Sequence, residues 1–243
     1  MIKIDFTPRY YEYAPGGVLP LHILCDYFQQ AAAADAHALG FGVEELAAQN
    51  IAWVITRMRI EVVSEAGLGR NLTAETWHAH TEKAVSRREF IISDNHGKAI
   101  IEGSTWWVLL NLSARRITRM PPDMLAMNHD NPHFITVGDE FKSNNYEGVA
   151  PAAEKIFLTR AEDIDMNKHI NNTHYIAWAM EALPENLRAG KKLKTAQISF
   201  KSECGADEKI TSKIYKDAKN SYTHILTRGK DGKEVFRLSS DWI

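Results

Sequence analysis

Cysteine is almost missing. Cys25 and Cys204 are the only two in 243 residues, which excludes a disulfide framework and a zinc site built on repeated Cys spacing. That usage fits a reducing, cytoplasmic setting. No apolar run approaches the roughly 20 residues that a bilayer-spanning helix needs. The most apolar stretch, WWVLLNL, is far too short, so stable membrane insertion is not expected. The opening MIKIDFTPRYYEY lacks the continuous apolar core of a secretory signal. An excess of one charge is lacking too. With 29 basic against 31 acidic residues the net charge is −2, and no basic motif interleaved with aromatics is found, which argues against a nucleic-acid partner.

What is present is the balance of an ordinary globular chain, 44% hydrophobic and 25% charged, long enough for one large domain or two of common size. Periodicity predicts a helix over 21–39, where Leu21, Leu24, Cys25, Phe28 and Ala32 keep helical spacing between Pro20 and Gly40. The strand-like segments IAWVITRMRIEVV, LTAETWHAH, SRREFIIS and AIIEGSTWWVLLNL follow, the last two separated by the hairpin signal SDNHGK. Residues 121–152, with MPPD, NHDNPH and KSNNYEG, read as a linker. Beyond it the order repeats. EKIFLTR reads as a strand, Ile176, Ala179, Met180 and Leu183 form a helical stripe, and AQISFKSEC, KITSKIY, YTHILTR and EVFRLSSDWI read as strands.

The halves also share residues. SEAGLGRNLT at 64–73 matches SECGADEKIT at 202–211 at an offset of 138, and HGK at 96–98 matches DGK at 231–233 at 135. Setting Leu24 against Ile176 aligns the helices at 152. The chain therefore reads as two copies of one α+β unit, over 1–120 and 153–243. Each is an antiparallel sheet curled around its single helix, because the helix's apolar stripe has no other partner.

One stretch carries more polarity than a fold needs: DIDMNKHINNTHYIAWAME, 163–181. Its D-x-D-x-N opens like a calcium loop, but Lys168 stands where Gly is required and His174 where Glu closes the loop. Helix capping explains Asn171 or Asn172. It does not explain why Asp165, Asn167 and His169 should share one face of an extended segment. The helix alignment puts Tyr13, Pro15 and Gly17 opposite these three, so the element order does not depend on them. The copies differ again at SEAG against SECG, where Glu65 and Ala66 face Glu203 and Cys204. Cys25, on an apolar stripe, reads as a small hydrophobe. Asp, Asn, His, Glu and Cys together suffice for acyl transfer or hydrolysis, with a helix N-terminus downstream for an oxyanion. Whether Cys204 is reactive depends on its pKa and exposure.

These motifs resemble those of plant and bacterial acyl-acyl carrier protein thioesterases. The family pattern D-x-N-x-H-x-N-N-x-x-Y-I-x-W stands here as DMNKHINNTHYIAW (165–178) and its E-C-G as 203–205. WVITRMRIEV (53–62), ETW (75–77), SRREFIISD (86–94) and WWVLLNLSARRITRMP (106–121) read like its first-half strands. The resemblance implies a tandem double hotdog, each half an antiparallel sheet wrapped around one long helix. It implies hydrolysis of fatty acyl-acyl carrier protein to free fatty acid, with no metal or organic cofactor. It implies catalytic positions at Asp165, Asn167, His169 and Glu203, with Cys204 at the place once assigned as nucleophile.

Two mechanisms follow from that set. Cys204 could attack as a thiolate with His169 as base, or Glu203 could activate a water. The second is favoured because two nearby carboxylates disfavour a thiolate. The acyl tail is expected in the first half, with Trp53, Met58, Trp106 and Trp107 as liners. An acidic carrier protein should meet a basic surface, for which Arg115, Arg116 and Arg119, Lys191, Lys192 and Lys194, and Arg87/Arg88 are the candidates. The rivals are an acyl-CoA thioesterase on the same fold and a non-catalytic acyl-thioester binder. A start without a plastid-type leader suggests a bacterial or already mature chain. Hotdog sheets often pair, so a homodimer is a further expectation unless the fused double copy already satisfies that need.

Overall fold

The helical spacing of Leu21, Leu24, Cys25 and Phe28 is realised in α1 (Leu21–Ala38), whose buried stripe consists of those residues with Tyr27, Ala31, Ala32 and Asp35. The computed structural model describes residues 1–126, 135 and 140–243; the NHDNPH part of the expected linker lies outside them. The chain divides into two units, Met1–Gly138 and Asp139–Ile243.

Around α1 the first unit sets β1 (Ile2–Phe6), α2 (Val43–Ala48), β2 (Ile51–Val62), β3 (Leu72–Glu82), β4 (Val85–Asp94), β5 (Ala99–Asn111), β6 (Arg116–Thr118) and α3 (Pro122–Leu125). Its strands pair antiparallel in the order β1-β3-β4-β5-β2, with β6 added to β5. The second unit holds β7 (Ala153–Leu158), α4 (Asn172–Ala182), α5 (Glu185–Arg188), β8 (Leu193–Phe200), β9 (Lys209–Ala218), β10 (Ser221–Arg228) and β11 (Glu234–Trp242). Its order is β7-β9-β10-β11-β8. Strand for strand this is the first unit's topology, so the two α+β units expected from the repeat, and the tandem double hotdog that the resemblance implies, are present.

Register fixes the correspondence to single residues. Phe90 sits opposite Thr76 and Gly103, and His224 opposite Ile214 and Leu238. The helices correspond at an offset of 151, the separation of Leu21 and Asn172, not at 152. Matching apolar stripes set Leu24 against Ile176; the backbone sets Leu24 against Tyr175 and Cys25 against Ile176. Two further expectations change. MPPD opens the short helix α3 instead of a loop. AQISFKSEC leaves the ladder at Phe200, because Lys201 and Ser202 both donate to Val235 O and carry the chain off register.

The first unit's ladder packs α1 closely at Gly103. A Cβ there would lie 2.9 Å from the Phe28 ring, which itself stacks on Phe90 at 4.5 Å. Beside this contact a buried ion pair joins Asp35 of α1 to Arg88 of β4 at 2.6 Å. Removing one partner of such a pair costs about 3–5 kcal/mol, because the other charge stays buried. In the second unit His224 takes the place of Phe90. Its Nδ1 lies 2.9 Å from Ala179 O, one of the last-turn carbonyls of α4, and its Nε2 lies 3.0 Å from Ser240 Oγ. The ring satisfies a helix-end carbonyl that lacks an intrahelical partner.

Candidate active site

Asp165, Asn167 and His169 do not lie along an extended strand. They form a tight turn closed by the bridge Ile164↔Ile170. Asp165 N–H donates to His169 O at 2.8 Å, and Lys168 N–H donates back to Asp165 O at 3.0 Å. Lys168 takes a left-handed backbone with φ +64°. The Asp165 carboxylate accepts the Asn167 N–H at 2.8 Å and the Asn167 side-chain amide at 3.4 Å, with the His169 N–H also at 3.4 Å. Alternation in the sequence thus reflects a side chain bonding its own turn, as Asp does readily, and not a shared strand face. Downstream, Asn171 caps α4 by accepting the Thr173 N–H at 3.2 Å.

The turn brings His169 to Glu203. Their Nε2 and Oε2 atoms are 3.4 Å apart, with side chains 37% and 39% exposed. Glu203 follows β8 on a segment held from several sides. Ile170 N–H donates to Cys204 O at 3.2 Å, and Thr159 Oγ donates to Gly205 O at 2.8 Å. Arg228 Nη1 donates to Glu203 O at 2.6 Å, and Tyr175 Oη accepts the Cys204 N–H at 3.0 Å. The Cys204 side chain is buried, and the residue is 2% exposed. Burial pushes its thiol pKa up, against an opposing hydrogen bond from Tyr175, so at neutral pH it is a thiol and not a nucleophilic thiolate. Tyr175 lies inside the sequence motif, which gives it no role, and no motif contains Arg228. Aligning the hairpins at 94–98 and 228–233 would have exposed it, because an acid in the first copy becomes an arginine in the second.

The other expected residues scatter. Met58 and Trp107 lie on the α1 side of the first unit's ladder, in register with Thr105 and Ile55. Trp53 packs against the buried cluster of Leu46, Ile51, Leu109, Met120 and Met124 and donates Nε1–H to Phe41 O at 3.1 Å. Trp106 faces the other way, with the Arg57 and Arg87 guanidiniums over its ring at 5.4 and 5.0 Å. The four do not line one slot. Arg87 and Arg88 are no basic surface either, since they pair with Glu89 and Asp35 below the surface. Lys191 is half-buried, its ammonium on Leu187 O and Tyr222 Oη. Arg115, Arg116, Arg119, Lys192 and Lys194 are exposed. Among the described residues no group of three His, Cys, Asp or Glu side chains converges to hold a metal ion. Among them, too, no helix is long and apolar enough to cross a membrane.

Residues 2–128 match the acyl-ACP thioesterase N-terminal domain, and residues 146–243 match the C-terminal domain. The chloroplastic palmitoyl-acyl carrier protein thioesterase of Arabidopsis thaliana is 28% identical over the whole of this chain and that of Cuphea hookeriana 26%. The chain spans 64% and 62% of their lengths. The crystal structure of an acyl-ACP thioesterase from Bacteroides thetaiotaomicron superposes with a TM-score of 0.86 at 20% identity, over 99% of this chain and 97% of that one. At that identity it is the fold that is shared.

Proposed function

The chain belongs to the acyl-ACP thioesterase family, and from that premise we propose that it hydrolyses the thioester joining a fatty acyl group to acyl carrier protein. The products are the free acid and the carrier's thiol, and chain elongation ends. The observation that carries this reading is the solvent-accessible His169–Glu203 pair beside a buried Cys204. Glu203 takes a proton from a water held against His169, and the water oxygen attacks the thioester carbon. The tetrahedral intermediate collapses, the phosphopantetheine sulfur leaves, and Glu203 returns the proton to it. Asn167, exposed and bonded to Asp165, is the donor for the developing oxyanion. Cys204 makes and breaks no bond.

The surface assigned to the acidic carrier is the Arg115, Arg116 and Arg119 turn, where Ile117 is 58% exposed, ahead of Lys192 and Lys194. The acyl tail is assigned to the α1 side of the first unit's ladder, where Met58 and Trp107 lie. The test is free-acid release from acyl carrier proteins of graded acyl length, with acyl-CoA in parallel and salt varied. Turnover of the carrier substrate should fall as salt screens docking. No release from any carrier, or salt-independent turnover of carrier and CoA alike, sinks the reading.

A further inference from the structure

Glu203 lies off the ladder, so its side chain points where its backbone is held. Some of the bonds that hold it occur in both units. Lys201 and Ser202 donate to Val235 O as Val63 and Ser64 donate to Ile100 O, and Ile170 donates to Cys204 O as Leu19 donates to Ala66 O. These bonds belong to the fold. Two more flank the Glu203 peptide in the second unit: Arg228 on its own carbonyl and Tyr175 on the next amide. Their counterparts in the first unit are Asp94, which has no N–H fork, and Leu24, which has no hydroxyl. Asp94 instead accepts from Arg70 at 2.7 Å and from the N–H groups of His96 and Lys98.

Both side chains are themselves fixed. The Tyr175 ring stacks on Phe236 at 5.8 Å and meets Trp178 edge-on at 5.7 Å. Arg228 is forked on Asp231, through Nη2 at 2.7 Å and Nε at 3.2 Å, which leaves Nη1 for Glu203 O. We propose that Arg228 and Tyr175 are positioning residues for the hydrolysis, holding the Glu203 peptide so that its carboxylate meets His169. This rests on the thioesterase reading. A shift of about 1 Å in a reacting group can cost about a hundredfold, and preorganised groups depend on such a supporting layer.

The test compares Arg228→Met, Arg228→Lys and Tyr175→Phe in the wild-type and Glu203→Gln backgrounds, each checked by thermal unfolding. In the wild-type background kcat should fall about 10–100-fold for Arg228→Met and about 5–10-fold for Tyr175→Phe, with KM within about twofold. Arg228→Lys should recover part of kcat, because an ammonium also donates to a carbonyl. In Glu203→Gln the same changes should cost nothing further. Equal losses in both backgrounds, or no loss in folded variants, overturn the proposal. The His169 ring signals in proton NMR add a readout independent of turnover. In Arg228→Met they should move toward those of Glu203→Gln, and unmoved signals overturn the proposal too. Wild-type protein that releases no acid from any carrier defeats the thioesterase reading instead, and the NMR comparison then decides the positioning role.

Discussion

The turn before α1 and the turn before α4 close with the same pair of backbone hydrogen bonds and carry different chemistry. Ala14 N–H bonds Val18 O at 3.0 Å where Asp165 bonds His169 O, and Gly17 bonds Ala14 O at 2.9 Å where Lys168 bonds Asp165 O. Gly17 at φ +74° and Lys168 at +64° share a left-handed backbone, whereas Gly16, also left-handed at φ +99°, stands opposite Asn167, which is not. The first unit closes its turn with Ala14, Gly16, Gly17 and Val18 and with no polar side chain, so the element order does not require the polar set. The second unit even accepts a non-glycine left-handed residue, a conformation that costs about 1–2 kcal/mol. The Asp165 carboxylate offsets part of that by bonding two N–H groups of the turn. A non-glycine left-handed residue kept in one copy alone supports the proposed site, because such strain persists where function requires it.

The strongest way to break this comparison is to write the first turn into the second. Asp165→Ala, Asn167→Gly and His169→Val together should leave a cooperative thermal transition within several degrees of wild type, while free-acid release falls about 10⁴-fold. A triple variant that does not fold would show the polar set to be structural. The acids sharpen the comparison next, since Glu65 and Glu203 correspond. Glu203→Gln should cost about 10³-fold in kcat and Glu65→Gln less than about twofold. Similar losses at both would mean that position, and not pairing with His169, governs the effect.

Nearly all the element order was legible in the sequence, because period-2 and period-3.6 patterns survive in both halves and turn residues punctuate them. Part of the proposed site was legible through the repeat, which singles out Asp165, Asn167, His169 and Cys204 as residues by which one copy departs from the other, whereas Glu203 has Glu65 as its match and is named by the motif resemblance. The geometry was not. A D-x-N-x-H pattern looks the same whether side chains alternate on a strand or one of them bonds its own turn, and the backbone bonds decide between these. Aligning helices by apolar stripe slipped one residue, since Leu24 and Ile176 are both buried but occupy different helical positions. Arg87 and Arg88 read as surface charge, because a sequence does not show that Asp35 and Glu89 lie close enough to bury them. Arg228 shows only through the hairpin comparison, as an arginine where the first copy has Asp94, because the carbonyl it bonds leaves no mark in the sequence.

A smaller effect belongs to Cys204, whose counterpart is Ala66. Both are buried, and both carbonyls accept the same backbone bond. Cys204→Ala should therefore retain turnover to within about threefold, with no burst of acyl-enzyme in either protein, at about 1 kcal/mol of stability for the small cavity. Loss of activity in a folded variant would return the sulfur to the mechanism.

The last contrast lies at the C-terminal end of α4, away from the turn that precedes its N-terminus, and should leave turnover at neutral pH untouched. Phe90 and His224 occupy the same place beneath the two helices, but only the histidine can take a proton. Burial holds the His224 pKa down at about 4, against the pull of Ala179 O, whereas an unfolded histidine titrates near 6.5. Above that value the ring is neutral in both states and contributes nothing to the pH dependence. Between 6.5 and 4 the unfolded chain takes up a proton that the folded chain refuses, so stability falls with falling pH, by about 3 kcal/mol in all. His224→Phe writes the first unit's residue into the second. It should be less stable at pH 7 by about 1–3 kcal/mol, since Ala179 O and Ser240 lose their partner. Carboxylates held down in the fold, such as Asp163 and Asp241, lose their own contribution in both proteins as the pH drops. The difference between the two urea-unfolding stabilities, followed from pH 7 to pH 4, should therefore shrink steadily. A constant difference would mean that His224 takes up its proton at the same pH in the folded and the unfolded chain, so that burial does not hold its pKa down.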